Sequence, residues 1–286
     1  MIGIRFRELS DKPLVLVVIP TKNAGETIEI CLKSLEEQTY PNIEVVVVDS
    51  YSSDGTKGIA EKFGAKFMES KVRRARARNL GAKESMDELI LSLDSDMELT
   101  PRVVEECVNK VKEGYDAVII PEVSVGVGFW AKCKALEKSC YIGDELIEAS
   151  RFFKREAFEA VKGYDLELEA GEDWDLNQRI KAEYQIGRIN AFMKHHEGNL
   201  RLRETMLRKH YYGQTLEKYR TKHPKEAKQQ FKLIRPAFMR NWRKLAKDPI
   251  HATGMLFMKA CEFAAGWLGT LHSREDECTR KIQKPA

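Results

Sequence analysis

No apolar run of bilayer-spanning length occurs in these 286 residues. Residues 14–19 are apolar but too few. Residues 1–12 are mixed and charged, so no secretory signal is expected. Cys-x-x-Cys spacing is also missing. The six cysteines, Cys31, Cys107, Cys133, Cys140, Cys261 and Cys278, suit reduced, mostly buried thiols better than a zinc site or a disulfide framework. These absences leave a cytoplasmic protein of one large domain, or one domain with an appendage. Its 43% hydrophobic content is enough for a true core.

Charge is present but unevenly placed. Residues 201–247 hold 15 Lys/Arg against 3 Glu, whereas the whole chain is only +4, so the remainder is net acidic. An acidic body joined to a basic segment implies two different partners.

Along the body, strands and helices alternate. Residues 14–19 are a continuous apolar run, as in a strand buried on both faces of a parallel sheet, and residues 43–48 read as a second buried strand. Further strands are expected over 65–69, 88–93 and 116–120. Helical spacing is seen over 26–38 and 75–85, and Thr100-Pro101 opens another helix. The alternation predicts an α/β domain with a mainly parallel sheet flanked by helices. Ligands of such sheets bind at the carboxyl ends of the strands. Thr21, Asp49, Asp94 and Asp96 all fall there. In extended chain, residues two apart share a face, so Asp94 and Asp96 can present carboxylates to one ligand. Such oxygens suit Mg²⁺ or Mn²⁺, and the metal suits a diphosphate. An ordinary polar turn would also use Asp-x-Asp.

With these pieces in hand, the chain resembles glycosyltransferase family 2, whose fold is GT-A. The resemblance rests on Val18-Ile19-Pro20-Thr21-Lys22-Asn23, Val48-Asp49-Ser50-Tyr51-Ser52-Ser53-Asp54-Gly55-Thr56, Ala77-Arg78-Asn79-Leu80-Gly81, Leu93-Asp94-Ser95-Asp96 and Gly171-Glu172-Asp173-Trp174-Asp175-Leu176. It covers roughly residues 14–200. It implies an inverting enzyme that takes a sugar from a nucleoside-diphosphate sugar. Thr21 and Asp49 would contact the nucleoside, and Arg78 and Asn79 the nucleotide or its phosphates. Asp94 would serve ribose and metal, and Asp96 the metal. Asp173 would be the general base, with Glu172 the next candidate. His196 would be a further metal or diphosphate contact. Asp54 is either a donor contact or a turn residue, and Trp174 either stacks on a sugar or fills the core. Residues 151–155 read as a strand, more for packing than for recognition.

A sugar-phosphate nucleotidyltransferase would need a Gly-rich, Arg/Lys-containing loop after the first strand, and residues 20–25 lack one. A non-catalytic nucleotide- or nucleic-acid-binding protein is the alternative from another class. No recognised nucleic-acid module accompanies the basic segment, so nucleic acid is not expected.

The expected division is a catalytic domain over 1–200 and a basic, partly amphipathic helical extension over 201–286. Residues 250–271 are apolar on average but carry Lys259 and Glu262 in their middle. That pattern suits a helix lying at an anionic membrane surface, or a hairpin packed on the body. A glycan or lipid-linked (polyprenyl phosphate) acceptor, with the enzyme peripheral on the cytoplasmic membrane face, is the corresponding expectation.

Overall fold

The computed structural model describes residues 12–282, with side chains through 272. From the amino end come β1 (Val15–Thr21), α1 (Ile28–Glu36), β2 (Ile43–Asp49), α2 (Thr56–Lys62), β3 (Lys66–Glu69) and α3 (Arg74–Ala82). Then follow β4 (Leu89–Ser92), β5 (Met97–Leu99), α4 (Val103–Lys112), β6 (Ala117–Ile119), β7 (Glu122–Val127) and α5 (Phe129–Ser139). Next are β8 (Ser150–Lys154), α6 (Arg155–Ala160), α7 (Glu172–Glu183), β9 (Ile186–Arg188) and β10 (Met193–Asn199). Among the described residues five helices follow: α8 (Leu202–Lys222), α9 (Pro224–Gln230), α10 (Pro236–Arg240), α11 (Trp242–Lys247) and α12 (Pro249–Ile282).

The chain forms two compact units that interleave in sequence. Of the described residues, the first holds 12–120, 150–163 and 179–192, and the second 121–149, 164–178 and 193–282. The first unit is a seven-stranded sheet in the order β3-β2-β1-β4-β8-β6-β9. β3, β2, β1 and β4 run parallel, β8 runs antiparallel between β4 and β6, and β9 is parallel to β6. The mainly parallel sheet flanked by helices is therefore present. The stretches 14–19 and 43–48 became the adjacent interior strands β1 and β2: Val15 through Ile19 and Val46 through Val48 are almost wholly buried.

α3 lies against β1 and β2. A Cβ added at Gly81 would collide with Val18 Cγ1 and sit 3.1 Å from Val48 Cγ2. Glycine at 81 thus lets the helix approach the sheet closely, and that approach sets where Arg78 points.

In the second unit β7 and β10 pair in parallel, with His195 opposite Ser124 and His196 opposite Val125. α5, α10, α11 and α12 enclose a core of Ala131, Cys133, Cys140, Tyr141, Ala237, Phe238, Met255 and Met258. α8 and α12 cross with very small spacing. A Cβ at Gly213 would strike the Gly266 carbonyl, and one at Gly269 the His210 carbonyl. Residues 201–272 thus share a core with residues 121–149. Cys31, Cys107, Cys133 and Cys140 are buried free thiols and Cys261 is half-buried; the Cys278 side chain lies outside the described residues. Among the described residues, no helix is long and apolar enough to cross a membrane.

Candidate active site

In the first unit, the carboxyl ends of β1, β2 and β4 bring Thr21, Asp49 and the Asp94–Asp96 turn to one edge of the sheet. Thr21 lies directly opposite Asp49 in the register. Asp49 is buried and accepts three hydrogen bonds: from Thr21 Oγ1 (2.7 Å), Ser52 N (2.6 Å) and Ser52 Oγ (2.6 Å). A carboxylate has about four acceptor positions, so roughly one remains for a ligand.

The turn after β2 is pinned from the turn after β1. Lys22 Nζ donates to the Ser50 and Tyr51 carbonyls at 2.8 and 2.6 Å. The Asn23 amide donates to Ser52 Oγ at 2.6 Å, and Asn23 Oδ1 accepts from Ser53 N at 3.0 Å. Asn23 (φ 48°) and Tyr51 (φ 55°) both occupy the left-handed region. Asparagine tolerates that conformation, whereas a tyrosine held there is strained, and such strain concentrates where a loop serves a ligand. The Tyr51 ring is exposed. Asp54 acts as a brace: its carboxylate accepts from the Gly25 and Thr56 amides and from the Thr56 hydroxyl.

Asp94 is held by two arginines. Arg78 Nη2 donates to Oδ1 at 2.6 Å, and Arg151 Nη1 to Oδ2 at 3.2 Å. Arg78 is 1% exposed and Asp94 18%. Burial alone would raise the Asp94 carboxyl, but Arg78, Arg151 and Arg74 outweigh it and hold it well below the usual carboxylate range. Arg151 reaches this place because β8 is antiparallel. Phe152 pairs with Leu91, so the start of β8 lies at the carboxyl end of β4. Sequence reasoning gave residues 151–155 a packing role, and no local signal marks Arg151. Asn79 sits beside Gly163, whose added Cβ would lie 2.6 Å from Asn79 Oδ1. Below the turn, burial and the Asp96 and Asp94 carboxylates push the Cys31 thiol up, leaving it unreactive.

Asp96 is half-buried in the same turn. Among the described residues, no three His, Cys, Asp or Glu side chains gather to hold a metal ion unaided. Mg²⁺ and Mn²⁺ seldom need such a cage. They bind through one or two carboxylates and complete their shell with phosphate oxygens and water. One carboxylate such as Asp96, together with a substrate diphosphate, fits that donor set.

The other expected site residues belong to the second unit. Gly171 (φ 80°) opens α7, and a Cβ there would lie 2.9 Å from the Tyr219 ring. Glu172 is buried and Asp173 half-buried in the first helical turn. Asp175, fully buried, is gripped by His223 Nε2 (2.8 Å) and Lys222 Nζ (2.7 Å) from the end of α8. Trp174 donates Nε1–H to the Ile147 carbonyl at 2.8 Å and packs against Tyr219 and Phe231, so its ring fills the core. His195 Nδ1 lies 2.9 Å from Glu122 Oε1. His196, next along β10, projects from the opposite face of the strand.

Comparison with known proteins adds independent findings. The model of "Glycosyl transferase family 2" matches residues 16–160. Glycosyltransferase AglE of Haloferax volcanii is 38% identical over 96 residues, covering 30% of this chain and 32% of that protein. GalNAc(5)-diNAcBac-PP-undecaprenol beta-1,3-glucosyltransferase of Campylobacter jejuni is 27% identical over 111 residues, 36% of each chain. These alignments span about a third of the curated relatives' length. The mannosyltransferase PcManGT of Pyrobaculum calidifontis, solved with GDP-Man and Mn²⁺, superposes with a TM-score of 0.62 at 20% identity. The superposition covers 91% of this chain and 87% of that one and shows a shared fold.

Proposed function

The chain belongs to glycosyl transferase family 2, and from that premise we propose that it transfers a sugar from a nucleoside-diphosphate sugar to a glycan or lipid-linked acceptor, with inversion at the anomeric carbon. The observation that carries this reading is the gathering of Thr21, Asp49, Tyr51, Asp94 and Asp96 at one sheet edge, on loops fixed by their own hydrogen bonds. Asp49 accepts an N–H from the base through its remaining lone pair. Tyr51 offers an exposed ring against which the base can stack. Arg78 and Arg151 hold Asp94 ionised and fixed in orientation, so that it can accept from ribose hydroxyls. Asn79 lines the nucleotide side.

Asp96 would hold a divalent cation, Mg²⁺ or Mn²⁺, and His196 would be a further metal or diphosphate contact. The bound cation would offset charge developing on the departing diphosphate. Asp173 takes the proton from an acceptor hydroxyl, and Glu172 shapes its surroundings. If the acceptor is an already ionised phosphate, Asp173 orients it instead. The undecaprenol-linked substrate named for the Campylobacter relative supports a lipid-linked acceptor here. The basic helices after residue 200 support a peripheral position on the cytoplasmic face of an anionic membrane.

Thermal shift with UDP-, GDP- and dTDP-sugars, each with and without Mn²⁺, tests the donor reading. One nucleotide should raise the melting temperature by mass action, and more so with metal. Slow hydrolysis of that donor without acceptor separates an enzyme from a mere binder. No shift with any nucleotide overturns the proposal.

A further inference from the structure

Over Pro249 to Leu268, α12 is amphipathic in the inverse sense. The charged residues of this stretch, Lys259 and Glu262, point inward: Lys134 Nζ of α5 donates to Glu262 Oε1 and to Glu137 Oε2, both at 2.8 Å. Lys259 Nζ donates to Glu137 Oε1 at 2.5 Å and to Glu262 Oε2 at 3.3 Å. Tyr141 adds its hydroxyl to Glu137 at 2.8 Å. The exposed positions of α12 from Pro249 through Leu268 carry no charge at all. They include Ile250, Leu256, Phe257, Phe263, Trp267 and Leu268, each 45–70% exposed. At 1.5 Å per residue, Ile250 to Leu268 is a stripe about 27 Å long. An apolar surface this continuous on a folded protein marks a place where something docks.

The segment leading into α12 indicates what docks there. Residues 239–247 expose Met239, Arg240, Trp242, Arg243, Lys244 and Lys247 and contain no acid; Asp248, which follows, accepts from His251. Arg243 lies 5.8 Å from the centre of the Trp242 ring. Basic residues with tryptophan, continuous with an apolar helical stripe, match an anionic lipid interface: the cations meet headgroups while the rings and aliphatic chains enter the acyl boundary. We propose that the outward face of α12, led by Trp242, Arg243 and Lys247, is a membrane-docking surface that lies flat on anionic lipid without crossing it. The inward ion network fixes which face of the helix is offered. This deepens the peripheral reading above and rests on it only for the identity of the membrane-borne acceptor.

The test uses the full chain with phosphatidylglycerol-rich and phosphatidylcholine vesicles. Binding to the anionic vesicles, with tryptophan emission quenched by shallow lipid-borne quenchers, is expected. A Phe263→Ser, Trp267→Ser, Leu268→Ser variant should bind roughly tenfold or more weakly at low and high salt alike. An Arg243→Gln, Lys247→Gln variant should weaken only at low salt. Nucleotide–Mn²⁺ binding, measured on the same samples, should be the same in all three proteins. Its absence from the parent protein would sink the donor reading and leave the docking result intact. Equal binding by the parent and triple variants overturns the proposal. So does a stable dimer of the parent that the triple variant dissolves, because a second copy would then be the occupant.

Discussion

Asp94 and Asp96 stand two residues apart, and the proposal gives them different work. The Asp94 carboxylate is held by Arg78 and Arg151, and Asp96 is the carboxylate proposed to meet a diphosphate-bound cation. Asp96→Ala should therefore abolish the metal-dependent part of donor binding and leave the fold unchanged; calorimetric titration with and without Mn²⁺ reads this directly. Asp94→Asn should instead cost stability, on the order of 3 kcal/mol, because it removes the carboxylate charge that faces the buried Arg78 guanidinium. The pH dependence has a fixed sign. The folded carboxyl lies below its ordinary 3.8, so its contribution is complete above that value and is lost as pH falls through the folded one. The melting-temperature gap between parent and variant should be full at pH 7 and narrow only below about pH 4. Asp173→Asn should keep donor affinity and slow transfer to a hydroxyl acceptor roughly a hundredfold. Steady-state kinetics with normal turnover and tight donor binding would refute the role of base.

At the scale of elements, Gly81 links packing to the site, because α3 carries Arg78 and touches the sheet at this glycine. Gly81→Ala forces α3 away from Val18 and Val48, an overpacking that costs about 1–3 kcal/mol. Donor affinity should fall with stability, since Arg78 retreats from Asp94. Unchanged melting and unchanged affinity together would show that the approach does not matter. The same scale explains what the sequence disclosed. β1 is legible because burial on both faces writes an unbroken apolar run, and β2 because Val45 through Val48 do the same over its second half. β10 is not: Lys194-His195-His196-Glu197 carries no apolar run, and it becomes a strand by pairing with β7 some seventy residues earlier. Arg151 stayed hidden for a related reason, since nothing in Arg-Phe-Phe-Lys tells that β8 runs against β4. Thr21, Asp49 and the Asp94–Asp96 pair were legible because parallel topology delivers every strand's carboxyl end to one edge.

For the whole molecule, composition marks a change at residue 200, while packing joins residues on either side of it. Cys133, Cys140 and Tyr141 pack against Phe238, Met255 and Met258, and Lys134 and Glu137 find their counter-charges on Glu262 and Lys259. α7, which carries Asp173, is anchored by Lys222 and His223 at Asp175 and by Tyr219 and Phe231 at Trp174. A chain ending at Gly198 would lose all of these partners at once, stripping Lys134 and Glu137 of Glu262 and Lys259 and leaving the α5 apolar face in water. Losing one side of such a network is far costlier than never having had it. The shortened protein should fail to form the second unit. Its near-UV signal from Trp130 and Trp174 should collapse, and protease should cut within residues 121–149 and 164–178. A chain ending at His272 keeps all these contacts and should melt within a few degrees of the parent. If the chain ending at Gly198 melted cooperatively with both tryptophan signals intact, α8–α12 would be a separable appendage, and the support assigned here to Asp173 would have to come from elsewhere.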